Sequence, residues 1–159
     1  MEVLIILVVV GVGAYLMTAG SAGTGFSTGP ASGGLLPQYQ SADQIAMYAT
    51  NAGFSGNDAV IAVAVALAES GGNANAMGDN NTSVGLWQIH TKAHPEFAGW
   101  NLRDPQTNAN AAFRVYTAAG GTFTPWTTYN TGASGNFISQ ATSAVSLMTP
   151  IGMPQGTVS

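Results

Sequence analysis

The sequence predicts a mostly α domain behind an N-terminal transmembrane helix. Helical segments with recognisable start and stop signals recur near 41–53, 55–69 and 104–119. The middle one is apolar from Ala59 to Ala68, a pattern expected of a helix buried on all sides. Val3 to Ala19 contains no charged residue and sits at the short limit for a membrane span.

At the N-terminus the alternative to an anchor is a cleaved secretory signal, for which Ala19-Gly20-Ser21-Ala22 could be the cleavage site. A signal also needs a basic leading region, and here that region is Met1-Glu2. Residues 1–19 are therefore read as a retained anchor, contacting the membrane through residues 3–19. Residues 20–34 are rich in Gly, Ser and Thr and read as a flexible linker. Residues 35–134 form the globular domain, and 135–159 a short C-terminal helix around 136–148 and a tail containing Pro150 and Pro154.

Within the domain, Ser41-Ala42-Asp43-Gln44 has the form of a capping box, and Gly53 is a C-terminal stop. Ser55 and Asn57 both offer N-caps for the central helix. Its Val60, Ile61, Val63 and Val65 also permit a strand, but the caps and interleaved alanines favour helix. Gly71 to Ser83 is polar and turn-rich. Asp104 before Pro105 starts a third helix, which Gly120-Gly121 stops.

Composition narrows the function. Charged residues are 6% of the chain, the net charge is −4 and the pI is near 4.6. Lys92, Arg103 and Arg114 form no basic patch, which excludes nucleic acid as a partner. The absence of cysteine excludes disulfides and thiolate metal sites, and suits an oxidising exterior. With seven acidic residues in the chain, most can be assigned by elimination. Glu2 precedes the anchor, Asp43 and Asp58 lie in first helical turns, and Asp104 is an N-cap. Glu69, Asp79 and Glu96 remain. Glu69 closes the apolar run, where burial would raise its pKa and the helix C-terminus disfavours negative charge. A carboxyl kept protonated in this way is what a general acid for glycosidic-bond cleavage requires.

Three pieces occur in order: Glu69-Ser70, then Gly85-Leu86-Trp87-Gln88-Ile89, then Thr128-Tyr129-Asn130-Thr131-Gly132. Together they resemble the lysozyme-like lytic transglycosylases, whose pattern is Glu-Ser, Gly-Leu-Met-Gln-Ile and Ala-Tyr-Asn-x-Gly. This chain departs from it at Trp87 and Thr128. Asn108-Ala109-Asn110-Ala111-Ala112 resembles a further family stretch, Asn-x-x-Ala-Ala. The resemblance implies a lysozyme-like α+β fold with a small β-hairpin beside the cleft, and a muralytic enzyme that needs no cofactor. It implies that Glu69 is catalytic. Ser70, Gly85, Trp87, Gln88, Tyr129 and Asn130 are the candidate substrate-binding residues. Ser70 would bond glycan or Glu69, or close the helix turn. Gly85 would let backbone approach the sugar. Trp87 would stack on a sugar ring or pack in the core. Gln88 would read N-acetyl and hydroxyl groups. Tyr129 would orient the acid, and Asn130 would bind or form a turn. Trp100, Tyr116 and Trp126 are core or cleft wall.

The resemblance implies cleavage of the MurNAc–GlcNAc β-1,4 bond with a 1,6-anhydro product. A true lysozyme would add a second carboxylate, for which Asp79 is the candidate, with Glu96 a distant second. A non-catalytic, membrane-anchored glycan-binding or structural module is the third reading. His90 and His94 are four apart, but Pro95 disfavours helical geometry at His94, so no metal site is assigned. The expected partners are peptidoglycan glycan strands, the membrane, and proteins of a virion or envelope machine. The expected location is a phage virion membrane or a bacterial envelope facing peptidoglycan, with phage entry the favoured setting.

Overall fold

The computed structural model describes residues 38–148. The anchor and linker read from the sequence lie outside the described residues. Among the described residues, 38–148, no helix is long and apolar enough to cross a membrane. Helix α1 spans Ala42–Ala52, α2 Gly56–Ser70, α3 Pro105–Ala118, α4 Thr127–Asn130 and α5 Ile138–Met148. Three two-residue strands lie between α2 and α3: β1 Met77–Gly78, β2 Ser83–Val84 and β3 Ile89–His90.

Helix α2 is the centre. Ala62 through Leu67 are all buried, six consecutive positions that cover every face of the helix. Helices α1 and α5 and the 3-10 turn 133–137 pack around it. Alanine at 59, 62, 64 and 66 keeps the helix narrow enough for close approach on several sides. The strand alternative for this segment is thereby excluded. Ser55 occupies the N-cap position, although its side chain makes no capping bond. Gly71 ends the helix in the left-handed conformation, and its N–H donates to the Leu67 carbonyl at 2.9 Å.

The other helix signals act as read. The Ser41 hydroxyl accepts from the Gln44 N–H, and the Gln44 side chain accepts from the Ser41 N–H. Asp104 accepts from the Thr107 N–H at 2.8 Å, with Pro105 in the first turn of α3. Helix α5 buries Ala141 and Ala144 in the same core as α1 and α2. The segment set apart in the sequence at 135 thus supplies part of that core.

The hairpin implied by the family resemblance is a three-stranded antiparallel sheet in the order β1-β2-β3, with Met77 opposite Val84 and Ser83 opposite His90. Its first turn places Asp79, Asn80 and Asn81 at positive φ, a conformation Asn and Asp tolerate best among non-glycine residues. Residues 91–104 run as turns with one 3-10 segment, Pro95–Phe97.

The sheet is joined to α3 by a buried side chain. Asn108 of α3 is fully buried; its Oδ1 accepts from the Trp87 N–H, and its Nδ2 donates to the Val84 and Leu102 carbonyls at 2.9 Å each. Asn108→Ala would leave those three backbone groups unpaired at roughly 1–3 kcal/mol each. We expect a stability loss of about 3 kcal/mol or more in urea denaturation. A loss below about 1 kcal/mol would refute this role.

Candidate active site

Glu69 is half-buried in the last turn of α2. The Thr128 hydroxyl donates to its Oε1 at 2.8 Å. Burial pushes the Glu69 carboxyl above the usual carboxylate range. Hydrogen bonds from the Thr128 side chain and N–H oppose that rise, and the nearby Asp79 charge adds to it. A negative charge at a helix C-terminus is also disfavoured by the carbonyl ends that meet there.

Thr128 reaches Glu69 because α4 is held against α2 by two tryptophans. The Trp87 indole N–H donates to the Ala62 carbonyl of α2 at 2.9 Å. The Trp126 indole N–H donates to the Trp87 carbonyl at 2.8 Å. Both rings are buried. Trp126 immediately precedes α4, so this relay fixes where its single turn begins.

Several residues proposed to bind glycan make contacts within the fold. Trp87 is 0% exposed, so it offers no face for a sugar ring to stack on. Gly85 has φ +81°, and a Cβ there would overlap the Leu102 carbonyl and the Asn108 amide. The close approach that requires glycine is therefore to protein, not to sugar. The Gln88 amide nitrogen donates to the Gly85 carbonyl at 2.8 Å and the Ala76 carbonyl at 3.1 Å, so its two N–H groups brace the sheet. Ser70 donates to the Ala66 carbonyl and accepts from the Gly72 N–H, closing the helix end and not bonding Glu69. Asn130 donates to the Thr124 carbonyl at 2.8 Å and is a turn residue. Tyr129 is 39% exposed with its ring 5.7 Å from that of Phe123, and Thr128, not Tyr129, supplies the donors to Glu69.

Asp79 is exposed in the β1–β2 turn and accepts from the Ser83 hydroxyl at 2.5 Å. Thr128 bonds Glu69 directly, and Asp79 acts on it through its charge. His94 pairs with Glu96 at 3.0 Å, while His90 accepts from the Ala93 N–H. Among the described residues no group of three His, Asp or Glu is placed to hold a metal ion. A shallow groove of about 450 Å³ between the Met77–Val84 side of the sheet and residues 97–103 contains none of Glu69, Asp79 and Thr128. Of the aromatics left open in the sequence, Trp126 is core, Tyr116 bonds Asp58 at 2.7 Å, and Trp100 lies under the Arg114 guanidinium.

Residues 46–128, just over half of the chain, match the family model described as a lysozyme-like domain. The chain belongs to this family. The matched stretch includes Glu69, the Gly85–Ile89 loop and Asn108, and ends at Thr128, one residue before Tyr129. Comparison with curated proteins and with solved structures gave no significant match. A lysozyme-like domain is a peptidoglycan-acting enzyme whose substrate is the glycan strand.

Thr128 was not among the residues picked from the sequence, although a signal was present. It is one of the two places where the chain departs from the family pattern, Thr standing for Ala beside Tyr129. Asn108, quoted for its motif, gave no sign that a polar residue inside α3 would be fully buried.

The raised carboxyl of this lysozyme-like domain has a thermodynamic consequence. A group with a folded pKa above its unfolded value contributes stability that is complete below the unfolded pKa and lost as pH rises through the folded one. As pH rises through the raised pKa, the domain comes to carry a half-buried carboxylate at a cost. Glu69→Gln removes that cost while keeping an oxygen for Thr128. Its melting temperature should exceed the parent's at pH 7, and the gap should close below about pH 4. Equal melting temperatures at both pH values would count against the burial.

Proposed function

We propose that this domain is a lytic transglycosylase that cuts the MurNAc–GlcNAc β-1,4 bond and locally opens the cell wall. The observation that carries this reading is Glu69 itself, a half-buried carboxyl at a helix end that holds its proton more tightly than an exposed carboxyl and accepts a hydrogen bond from a neutral hydroxyl. One such group suffices for both halves of the reaction. Protonated Glu69 gives its proton to the glycosidic oxygen as the bond to the muramic anomeric carbon breaks. The muramic N-acetyl oxygen closes on that carbon and holds the positive charge. Glu69, now a carboxylate, takes the proton of the muramic 6-hydroxyl. That oxygen bonds to the anomeric carbon, the N-acetyl oxygen is released, and a 1,6-anhydro end results. No water is consumed and no cofactor takes part.

One observation favours a second reading. Asp79 acts on Glu69 through its charge and is pinned by Ser83, so a hydrolase could use it to activate water. A third reading, a non-catalytic glycan-binding module, makes Glu69 dispensable.

Mass spectrometry of fragments released from purified peptidoglycan by the full-length chain separates the three. We expect anhydro-muramic ends, and a loss of at least about 100-fold in rate for Glu69→Gln. Reducing ends would make the enzyme a hydrolase and Asp79 its second carboxylate. Undiminished release by Glu69→Gln, or none from a folded parent, would end the transglycosylase reading.

By sequence we also propose a membrane-held enzyme, anchored through residues 3–19, that acts in phage entry or an envelope machine. The uncharged segment followed by a Gly/Ser-rich linker is what supports this. Alkaline carbonate should leave the full-length chain in the membrane fraction, and release into the supernatant would exclude the anchor.

A further inference from the structure

We infer that Thr128 is a positioning residue for Glu69, using its hydroxyl to hold Oε1 so that Oε2 is the oxygen that delivers the catalytic proton. The inference rests on Glu69 being the acid. A neutral carboxyl has one oxygen that carries the proton and one that can only accept. The Thr128 hydroxyl lies 2.8 Å from Oε1 and donates to it. The Thr128 N–H, which can only donate, is a second donor to the same carboxyl. The hydroxyl bond makes Oε1 the accepting oxygen. The proton then sits on Oε2.

The geometry is built and not incidental. Thr128 stands in the four-residue helix α4, which starts from the buried Trp126 and ends before Gly132 at φ +79°. Trp126 is tied to Trp87, and Trp87 to α2, the helix that carries Glu69. Donor and acceptor thus share one rigid connection. An alanine at 128 would keep the N–H donor and remove the hydroxyl, so the side chain adds a contact that the backbone cannot.

The hydroxyl also acts on both protonation states. Once Glu69 is ionised, the same bond becomes charge-assisted and strengthens, which favours the carboxylate needed in the second half of the reaction. Threonine should therefore move the working range of the enzyme towards lower pH than alanine would. The other ionisable groups on elements around Glu69 are few. Asp79 in the β1–β2 turn acts on it directly. Helix α4 brings Tyr129, α1 carries Asp43 and Tyr48, and the 133–137 turn and α5 carry none.

The test uses Thr128→Val, which keeps the side-chain shape and removes the donor, beside Thr128→Ala and Thr128→Ser. Each full-length variant is assayed for glycan release from purified peptidoglycan across pH, and the Glu69 carboxyl is titrated by carbon-13 NMR. In the valine and alanine variants we expect the carboxyl to titrate about 0.5–1 pH unit higher, with the alkaline limb of kcat moving alike. We expect kcat at the optimum to fall about tenfold, with KM within about twofold, as for an interaction that aligns the reacting group. Serine should restore both. An unmoved carboxyl titration in Thr128→Val and Thr128→Ala overturns the inference, whether or not the enzyme is active. A moved titration with unmoved kcat would leave Thr128 tuning the proton but not positioning it, and would also overturn it. If Glu69→Gln kept full activity, the catalytic reading would fail separately, with the NMR result standing by itself.

Discussion

Everything in this domain is arranged around the need to surround α2. A helix apolar on every face cannot lie at a surface, and its alanines provide too little area to be covered by one neighbour alone. It therefore requires partners on all sides, which come from α1, α5, the 133–137 turn and the Trp87 indole. Enclosure of its length leaves the helix end as the place where the chain can emerge. Glu69 occupies that end, far enough into the apolar run to be dehydrated and far enough out to meet a ligand. The acid strength of the site thus derives from the packing of the core.

The connection between core and site runs through neutral hydrogen bonds. Asn108 gathers the strand, the Gly85–Trp87 loop and the start of α3, and the two indoles carry that order on to α4. Among the described residues the one salt bridge is the exposed His94–Glu96 pair. The geometry of the site consequently rests on buried dipoles, which respond little to ionic strength. The electrostatics of Glu69 are shaped mainly by desolvation and by Thr128, with Asp79 a smaller contributor.

Most of the fold was legible in the sequence. Capping signals at Ser41 and Asp104 and the stop at Gly53 are local, and local chemistry can be read from a string. The central burial of α2 followed from its lack of a polar face. Glu69 stood out by elimination because acidic residues are scarce. What the sequence hid was the destination of side chains. Trp87 and Gln88 have the chemistry of sugar ligands, and only their partners, Ala62 for one and Gly85 with the more distant Ala76 for the other, show their place in the fold. Thr128 was hidden for the opposite reason, since its value lies in a contact 59 positions away.

The Gly85–Ile89 loop has an implication for how this family is recognised. Its glycine is fixed by the Leu102 carbonyl and Asn108, its tryptophan by Ala62, and its glutamine by the sheet. Selection on that stretch would act through folding, whatever became of the chemistry. A descendant that lost its acid and was retained as a scaffold would keep the same loop. Inheritance of the loop therefore reports ancestry and architecture, and by itself says nothing of whether a carboxyl still stands at position 69.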